Sequence, residues 1–198
     1  MSFAMGLPSM TLQNLTPSLT EPVSLSEAKA VLRVTDTVED ALISRLISAA
    51  RQRIERSLSL GLVAANYRET FDRWGPRRQS SGAYRLRMGP LMSVSAIRVA
   101  DTLGNFSVID PSLYRVRVAT RPGQIAPVAA GLPEAGIASG GLQIDYRCGF
   151  GESAADVPEP LRQAVLALVA HGFENRDEAK APIGLVEPWL APYRRVRL

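Results

Sequence analysis

The chain of 198 residues holds one cysteine, Cys148, one histidine, His171, and two lysines, Lys29 and Lys180. A lone cysteine excludes an internal disulfide and any multi-cysteine metal centre. A lone histidine excludes a histidine pair on zinc, and any histidine-based triad would depend on that one residue. No stretch reaches the ~18 apolar residues of a membrane span. The N-terminus also lacks the basic start and apolar core of a signal peptide, so the chain reads as a soluble cytoplasmic product with no membrane partner. With lysine scarce, nearly all the positive charge behind the net +4 is arginine. That bias either reflects an arginine-preferring coding sequence or serves planar, bidentate pairing at interfaces. The net charge alone is too small to argue nucleic-acid binding.

The chemistry these residues can support is limited. His171 lies inside an apolar helical pattern and reads as a packed core or interface histidine. Cys148 precedes glycines with no fixed cation beside it and reads as a structural thiol. The glycine-rich pieces at 149–153 and 138–142 lack the lysine and hydroxyl residue of a phosphate loop. Aspartates and glutamates are scattered without metal-ligand spacing. No catalytic residue, cofactor or metal is expected, and the chain does not read as an enzyme.

What is present is an ordered alternation of patterns. Leu142, Ile144 and Tyr146 alternate with Gln143, Asp145 and Arg147, the period of a strand buried on one face. Pro158 and Pro160 flank Glu159 and predict a helix start there. Residues 164–170, AVLALVA, are apolar on every side, so this helix is buried all round or shared with a neighbour. Leu161, Val165, Leu168, Val169 and Phe173 are its candidate core or subunit-interface residues.

Residues 1–21 show no sustained period and read as a flexible or extended arm. Ser24 and Glu27 form the signature of a capping box, predicting a short helix to about Arg33. Asp36 or Thr37 is the expected cap of a longer helix carrying Ala41, Leu42, Leu46, Ile47, Ala50, Ile54 and Leu58, with Gly61 as its stop. Arg45, Arg51, Arg53, Glu55 and Arg56 on that helix read as a solvated basic face.

From Asn66 the period changes to two, with Tyr67, Glu69, Phe71 and Arg73 against Arg68, Thr70, Asp72 and Trp74. Further strands are expected at 83–88, 93–100, 106–109 and 113–119, with a hairpin loop at 101–105 and a short strand near Ile125. The fold class is α+β: a helical core of two N-terminal helices and a buried C-terminal one, with an inserted antiparallel sheet or small sandwich. The expected organisation is an arm at 1–22, helical core at 23–62 and 156–178, β insertion at 63–155, and a tail at 179–198. That tail ends in Trp189, Leu190, Tyr193, Arg194, Arg195 and Arg197. It is either a docking peptide or a frayed terminus, and its residue types are those that dominate interface energies.

Together VSLSEAKAVLRV, DTVEDALISRLISAARQRIERSLSLGLV, MGPLMSVSAIRV, YRCGFGESAADVPEPLRQAVLALVAHGFENR and LAPYRRVRL resemble the head-to-tail connector, or adaptor, proteins of long-tailed phages, prophages and gene transfer agents. The resemblance runs in order from Val23 to Leu198 and leaves out residues 121–141. It implies a non-enzymatic protein at the head-tail junction of a virion or phage-like particle, assembled in the bacterial cytoplasm. It also implies a homo-oligomeric ring, twelve-fold by the resemblance, below a portal protein ring. Such a ring extends the channel through which DNA passes and offers a platform for the next tail-completion (stopper) protein. The last residues, Trp189 to Arg197, would then dock into the portal. A sequence-independent nucleic-acid binder, using the arginines of the second helix and the tail, is the alternative.

Overall fold

The structure, a computed structural model, describes residues 10–16, 20–74, 82–128, 131–176 and 183–194. The chain divides into two compact units, one of residues 1–17 and 65–148, the other of residues 18–64 and 149–198. Helices and antiparallel strands are segregated between them, which is the expected α+β class.

Among the described residues the β unit contains eight strands. They are β1 (Met10–Thr16), β2 (Ala65–Phe71), β3 (Tyr84–Arg85), β4 (Leu91–Ala100), β5 (Phe106–Val108), β6 (Tyr114–Arg117), β7 (Gln124–Pro127) and β8 (Leu142–Cys148). Five form a sheet in the order β1-β2-β8-β4-β5 and three form a second sheet, β3-β7-β6. Every pairing is antiparallel. Strand β2 buries alternate residues Ala65, Tyr67, Glu69 and Phe71. These join Ile97, Leu142, Ile144 and Tyr146 of the same sheet, and Tyr84 and Ile125 of the other, in one closely packed interior. Phe71 stacks on Tyr84 with ring centres 4.8 Å apart, and Trp74 meets both edge-on. The 101–105 hairpin forms as expected, with Asp101 accepting from the Leu103 and Asn105 N–H groups.

Residues 10–16, expected within a flexible or extended arm, are extended and hydrogen-bonded along β2 as an edge strand. No sustained period shows there because only Met10 and Leu12 face the core and residues 13–16 are exposed on both sides. Strands β3 and β6 are shorter than the expected 83–88 and 113–119.

The helical unit contains α1 (Leu25–Leu32), α2 (Asp40–Leu58), α3 (Glu159–Glu174) and α4 (Glu187–Leu190). The Ser24 hydroxyl accepts from the Glu27 N–H at 3.2 Å and Glu27 accepts from the Ser24 N–H at 2.7 Å, completing the capping box. Helix α2 departs from expectation at both ends. Neither Asp36 nor Thr37 caps it: Asp36 spends its carboxylate on the Val38 N–H and the Thr37 carbonyl on the Asp40 N–H, forming a turn first. The helix then stops at Ser59, in the left-handed region at φ 54°, two residues ahead of Gly61. Val23, Ile43, Ile47, Ile54 and Leu62 pack with Leu161, Val165 and Leu168 into one core. After β8, Gly149 takes φ 150°, and a Cβ there would lie 2.5 Å from the Ala64 nitrogen, so only glycine fits this close return of the chain.

Candidate interaction surfaces

The candidate residues of α3 divide cleanly. Leu161, Val165, Leu168 and Val169 are all at most 4 % exposed in the isolated chain and form its core. The burial follows one stripe rather than every face, because Gln163 and Glu174 stay in water while Leu166 and Ala167 are half-covered. Phe173 sits at the border, half-buried, with the Arg176 guanidinium 4.8 Å above its ring. His171 is half-buried one turn before Asn175, whose side-chain amide donates to the His171 carbonyl.

The C-terminal residues form a series of short helical turns: Ile183–Val186, then α4, then Ala191–Tyr193. Val186 and Leu190, four residues apart and hence on one side of a helix, are both fully buried in the helical core. Leu190, expected in an exposed tail, is therefore a core residue of its own chain. Tyr193 is half-buried with its ring edge-on to Phe150 at 6.2 Å. Trp189 is 39 % exposed. Arg194 is exposed and pairs with Glu187 at 2.5 Å. Arg195 and Arg197 lie outside the described residues. The stretch 183–194 thus presents Trp189 and Arg194 outward from a folded base.

The charged run of α2 is only partly a solvated face. Arg51 donates to Glu21 at 2.7 Å and to Glu55 at 2.9 Å, and its side chain is largely covered. Glu55 also accepts the Leu62 N–H at 3.0 Å. Burial pushes the Glu55 carboxyl up, against the Leu62 N–H and Arg51, which favour its charged form. Burial pulls the Arg51 guanidinium down, but Glu21 and Glu55 together carry it above its ordinary value. Arg162 performs a similar task from α3, reaching Glu27, Glu159 and the Pro22 carbonyl, so residues 21–27 are tied to both long helices. Sequence spacing could not reveal partners 30 residues away in the chain. Ser44, Arg45, Ser48, Ala49, Gln52 and Arg56 remain on the outer face of α2 and line a shallow open groove of about 410 Å³.

In the β unit, Glu69 is fully buried and accepts from the Tyr84 and Tyr146 hydroxyls and the Arg87 N–H. A glutamate on the buried face of β2 was visible in the alternation, but its three donors come from distant strands. Burial first, and Glu69 second, push the Tyr146 hydroxyl far above the ordinary tyrosine range. On the opposite side of the sheet, Asp145 receives Arg68 at 2.6 and 2.8 Å and Arg98 at 2.5 Å. Those hydrogen bonds, Arg68's foremost, hold Asp145 below the usual carboxylate range despite its partial burial.

Among the described residues no three His, Cys, Asp or Glu side chains converge as metal ligands, and no helix is long and apolar enough to cross a membrane. Cys148 is a buried thiol at the end of β8, in no disulfide.

Residues 22–79 match the family model of the phage gp6-like head-tail connector proteins. The match takes in α1, α2 and β2, and agrees with the resemblance read from the sequence. Among curated proteins none matches the chain. Solved structures extend the likeness over both units. A chain in the neck of an empty gene transfer agent particle, computed with C6 symmetry, is 26 % identical at a TM-score of 0.80, covering 95 % of this chain and 97 % of that one. A chain in the virion of a native gene transfer agent particle is 26 % identical at 0.77, covering 94 % and 96 %. A chain in the neck of a native particle computed with C12 symmetry is 25 % identical at 0.76, covering 95 % and 97 %. The alternative of a nucleic-acid binder working through α2 and the tail gains nothing from these likenesses. Arg51 and Arg194 are moreover held by carboxylates of the same chain.

Proposed function

We propose that this chain is a structural head-to-tail connector of a tailed phage or phage-like particle, placed at the head-tail junction as one copy of a homo-oligomeric ring. The observation that carries the reading is the likeness of almost the whole chain, β unit and helical unit alike, to chains of a particle neck. The family match over residues 22–79 supports it independently. A ring member needs a self-sufficient core and outward-facing contact surfaces rather than a reactive pocket. This chain has two closed cores and its charged groups lie mainly at their surfaces.

On this reading the ring contains twelve copies, in keeping with the C12 symmetry of a related neck. Its partners are the portal ring on the head side, the next tail-completion protein on the other, and DNA in passage. The portal contact is assigned to the C-terminal stretch, through Trp189 and Arg194 and onward through Arg195 and Arg197. Leu190 fixes the base of that stretch and Tyr193 steadies it. Affinity per copy is modest, and the ring gains strength by repeating the contact.

The test is deletion of the gene from a particle-producing strain, followed by electron microscopy of the released particles. The expected result is DNA-filled heads without tails, restored by the wild-type chain. Tailed particles from the deletion strain would overturn the connector reading.

A further inference from the structure

Two groups of arginines stand apart in this protein. Those at positions 51, 68, 98, 162, 176 and 194 are each paired with a carboxylate of the chain. A second set lies on the three-stranded sheet. Arg85 of β3 and Arg117 of β6 both stand opposite Gln124 of β7, so one row across the sheet carries arginine at each side. Arg115 follows two residues from Arg117 on the same outward face, because Tyr84, Ile125 and Val116 take the inward one. Arg87 and Arg121 lie just beyond the ends of β3 and β6, and all five are exposed. Arg115, Arg117 and Arg121 make no ion pair with any described residue.

The scarcity of carboxylates on these strands is built into the sequence. No Asp or Glu occurs between Asp72 and Asp101, nor between Asp110 and Glu134, although the chain holds 19 of them. The three strands and their connections are drawn from those two stretches. Like charges set about 6.6 Å apart along a strand and about 10 Å apart across two strand spacings repel. The fold keeps Arg115, Arg117 and Arg121 exposed with no ion pair to any described residue.

We infer that this face of the β unit contacts the phosphate backbone of DNA as it passes through the connector, without reading sequence. The inference rests on the connector reading. A protein partner is disfavoured by the middle of the face, where Gln124 and Ala126 stand instead of the aromatic or aliphatic anchors that protein interfaces bury centrally, the exposed aliphatics Leu113 and Val128 lying only past the end of the β6–β7 pairing. Arginines on strands that themselves carry no carboxylate are the footprint of phosphate contact, in which neutralised phosphates release counterions. A duplex presents one charge per about 1.7 Å of its axis, so flexible guanidinium groups on a flat face find phosphates in any register. Three to five contacts per copy are weak at physiological salt, which lets DNA slide while a ring of copies keeps it centred.

The experiment is a titration of the full-length chain into a short fluorescent duplex of arbitrary sequence, read by anisotropy between about 50 and 200 mM salt. The triple variant Arg115→Gln, Arg117→Gln, Arg121→Gln is expected to flatten the slope of log K against log salt by about 3. Removing the same charge from the helical unit, by Arg33→Gln, Arg45→Gln, Arg56→Gln, is expected to leave the slope nearly unchanged. Lysine at 115, 117 and 121 is expected to restore it, since a point charge serves a phosphate. Thermal melts by circular dichroism verify that each variant folds. Equal flattening by both glutamine triples, or none by the first, would overturn the inference. An unchanged slope with loss of the sheet triple from purified particles would assign the face to an acidic protein partner instead. Because the titration uses the isolated chain, its failure leaves the tail-attachment result standing.

Discussion

Tyr146 donates its hydroxyl to Glu69 at 2.6 Å inside the β unit, with Tyr146 1 % and Glu69 0 % exposed. The same hydroxyl accepts the Met88 N–H at 3.2 Å, so one oxygen joins β8, β2 and the segment after β3. Tyr146→Phe leaves Glu69 one donor short and the Met88 N–H without its acceptor, and should cost about 1–3 kcal/mol. Urea unfolding measures that loss. Glu69→Ala should cost more, because three donors are orphaned together. The raised ionisation of Tyr146 adds a second readout: its tyrosinate absorbance should stay silent in alkali until the fold opens. A Tyr146→Phe variant as stable as the wild type would sink this account.

Asp145 supplies an acid-side dependence whose sign follows from its lowered pKa. The folded state favours the carboxylate, so the contribution is fully present above the unfolded value of about 3.9 and is lost as pH falls through the lower folded value. Asp145→Asn should be less stable at neutral pH, with Arg68 and Arg98 left facing an amide. Its stability should also fall less steeply than that of the wild type below about pH 4. Urea midpoints measured across that range for both proteins decide the matter. Parallel curves would show that the pair contributes nothing on acidification.

How much of this was legible beforehand depended on whether the deciding partner was near in sequence. Ser24 and Glu27 are three residues apart, and their capping box was readable from the letters alone. The start of α3 at Glu159 was equally local, set by the flanking prolines. The start of α2 is not legible in the sequence because Asp36 has two local uses, capping a helix or closing a turn on Val38, and composition does not choose between them. Arg51 and Glu55 looked solvated because Glu21 lies 30 residues away. β1 is hard to read because its alternation is confined to Met10 and Leu12, which face the core, and ends where residues 13–16 are exposed on both sides. From sequence Leu190 reads as a docking anchor, because an apolar residue in a short proline-rich stretch serves a partner or its own core equally well. Only its burial beside Val186 distinguishes the two.

Val165 is fully buried where α3 meets the other helices. An unpaired carboxylate there has no compensating donor, and Val165→Asp is expected to exceed about 4 kcal/mol and abolish folding of the helical unit. Leu168→Asp should behave the same way. Circular dichroism and solubility report the outcome. Variants that fold normally yet fail to enter particles would make α3 a contact between copies rather than the core.

The C-terminal stretch allows attachment to be separated from stability, because two of its residues one position apart have opposite environments. Leu190 is fully buried, and Leu190→Ala should cost about 2–5 kcal/mol whatever the protein binds. Trp189 is 39 % exposed, and Trp189→Ala should change the unfolding midpoint little. Arg194 is tied only to the exposed Glu187, a surface pair worth at most about 1 kcal/mol, so Arg194→Ala should also leave a folded chain. If the outward groups meet the portal, the double variant Trp189→Ala, Arg194→Ala should fold and yet no longer co-sediment with portal-bearing heads. Large aromatic anchors and arginines carry most of the energy of such contacts, and repetition around a ring multiplies the deficit of each copy. Normal attachment by the double variant, with removal of residues 195–198 also harmless, would place the portal contact elsewhere on the chain. Loss of attachment by Leu190→Ala alone would say nothing of docking unless the variant were first shown to be folded, and for that reason the exposed tryptophan is the residue to change.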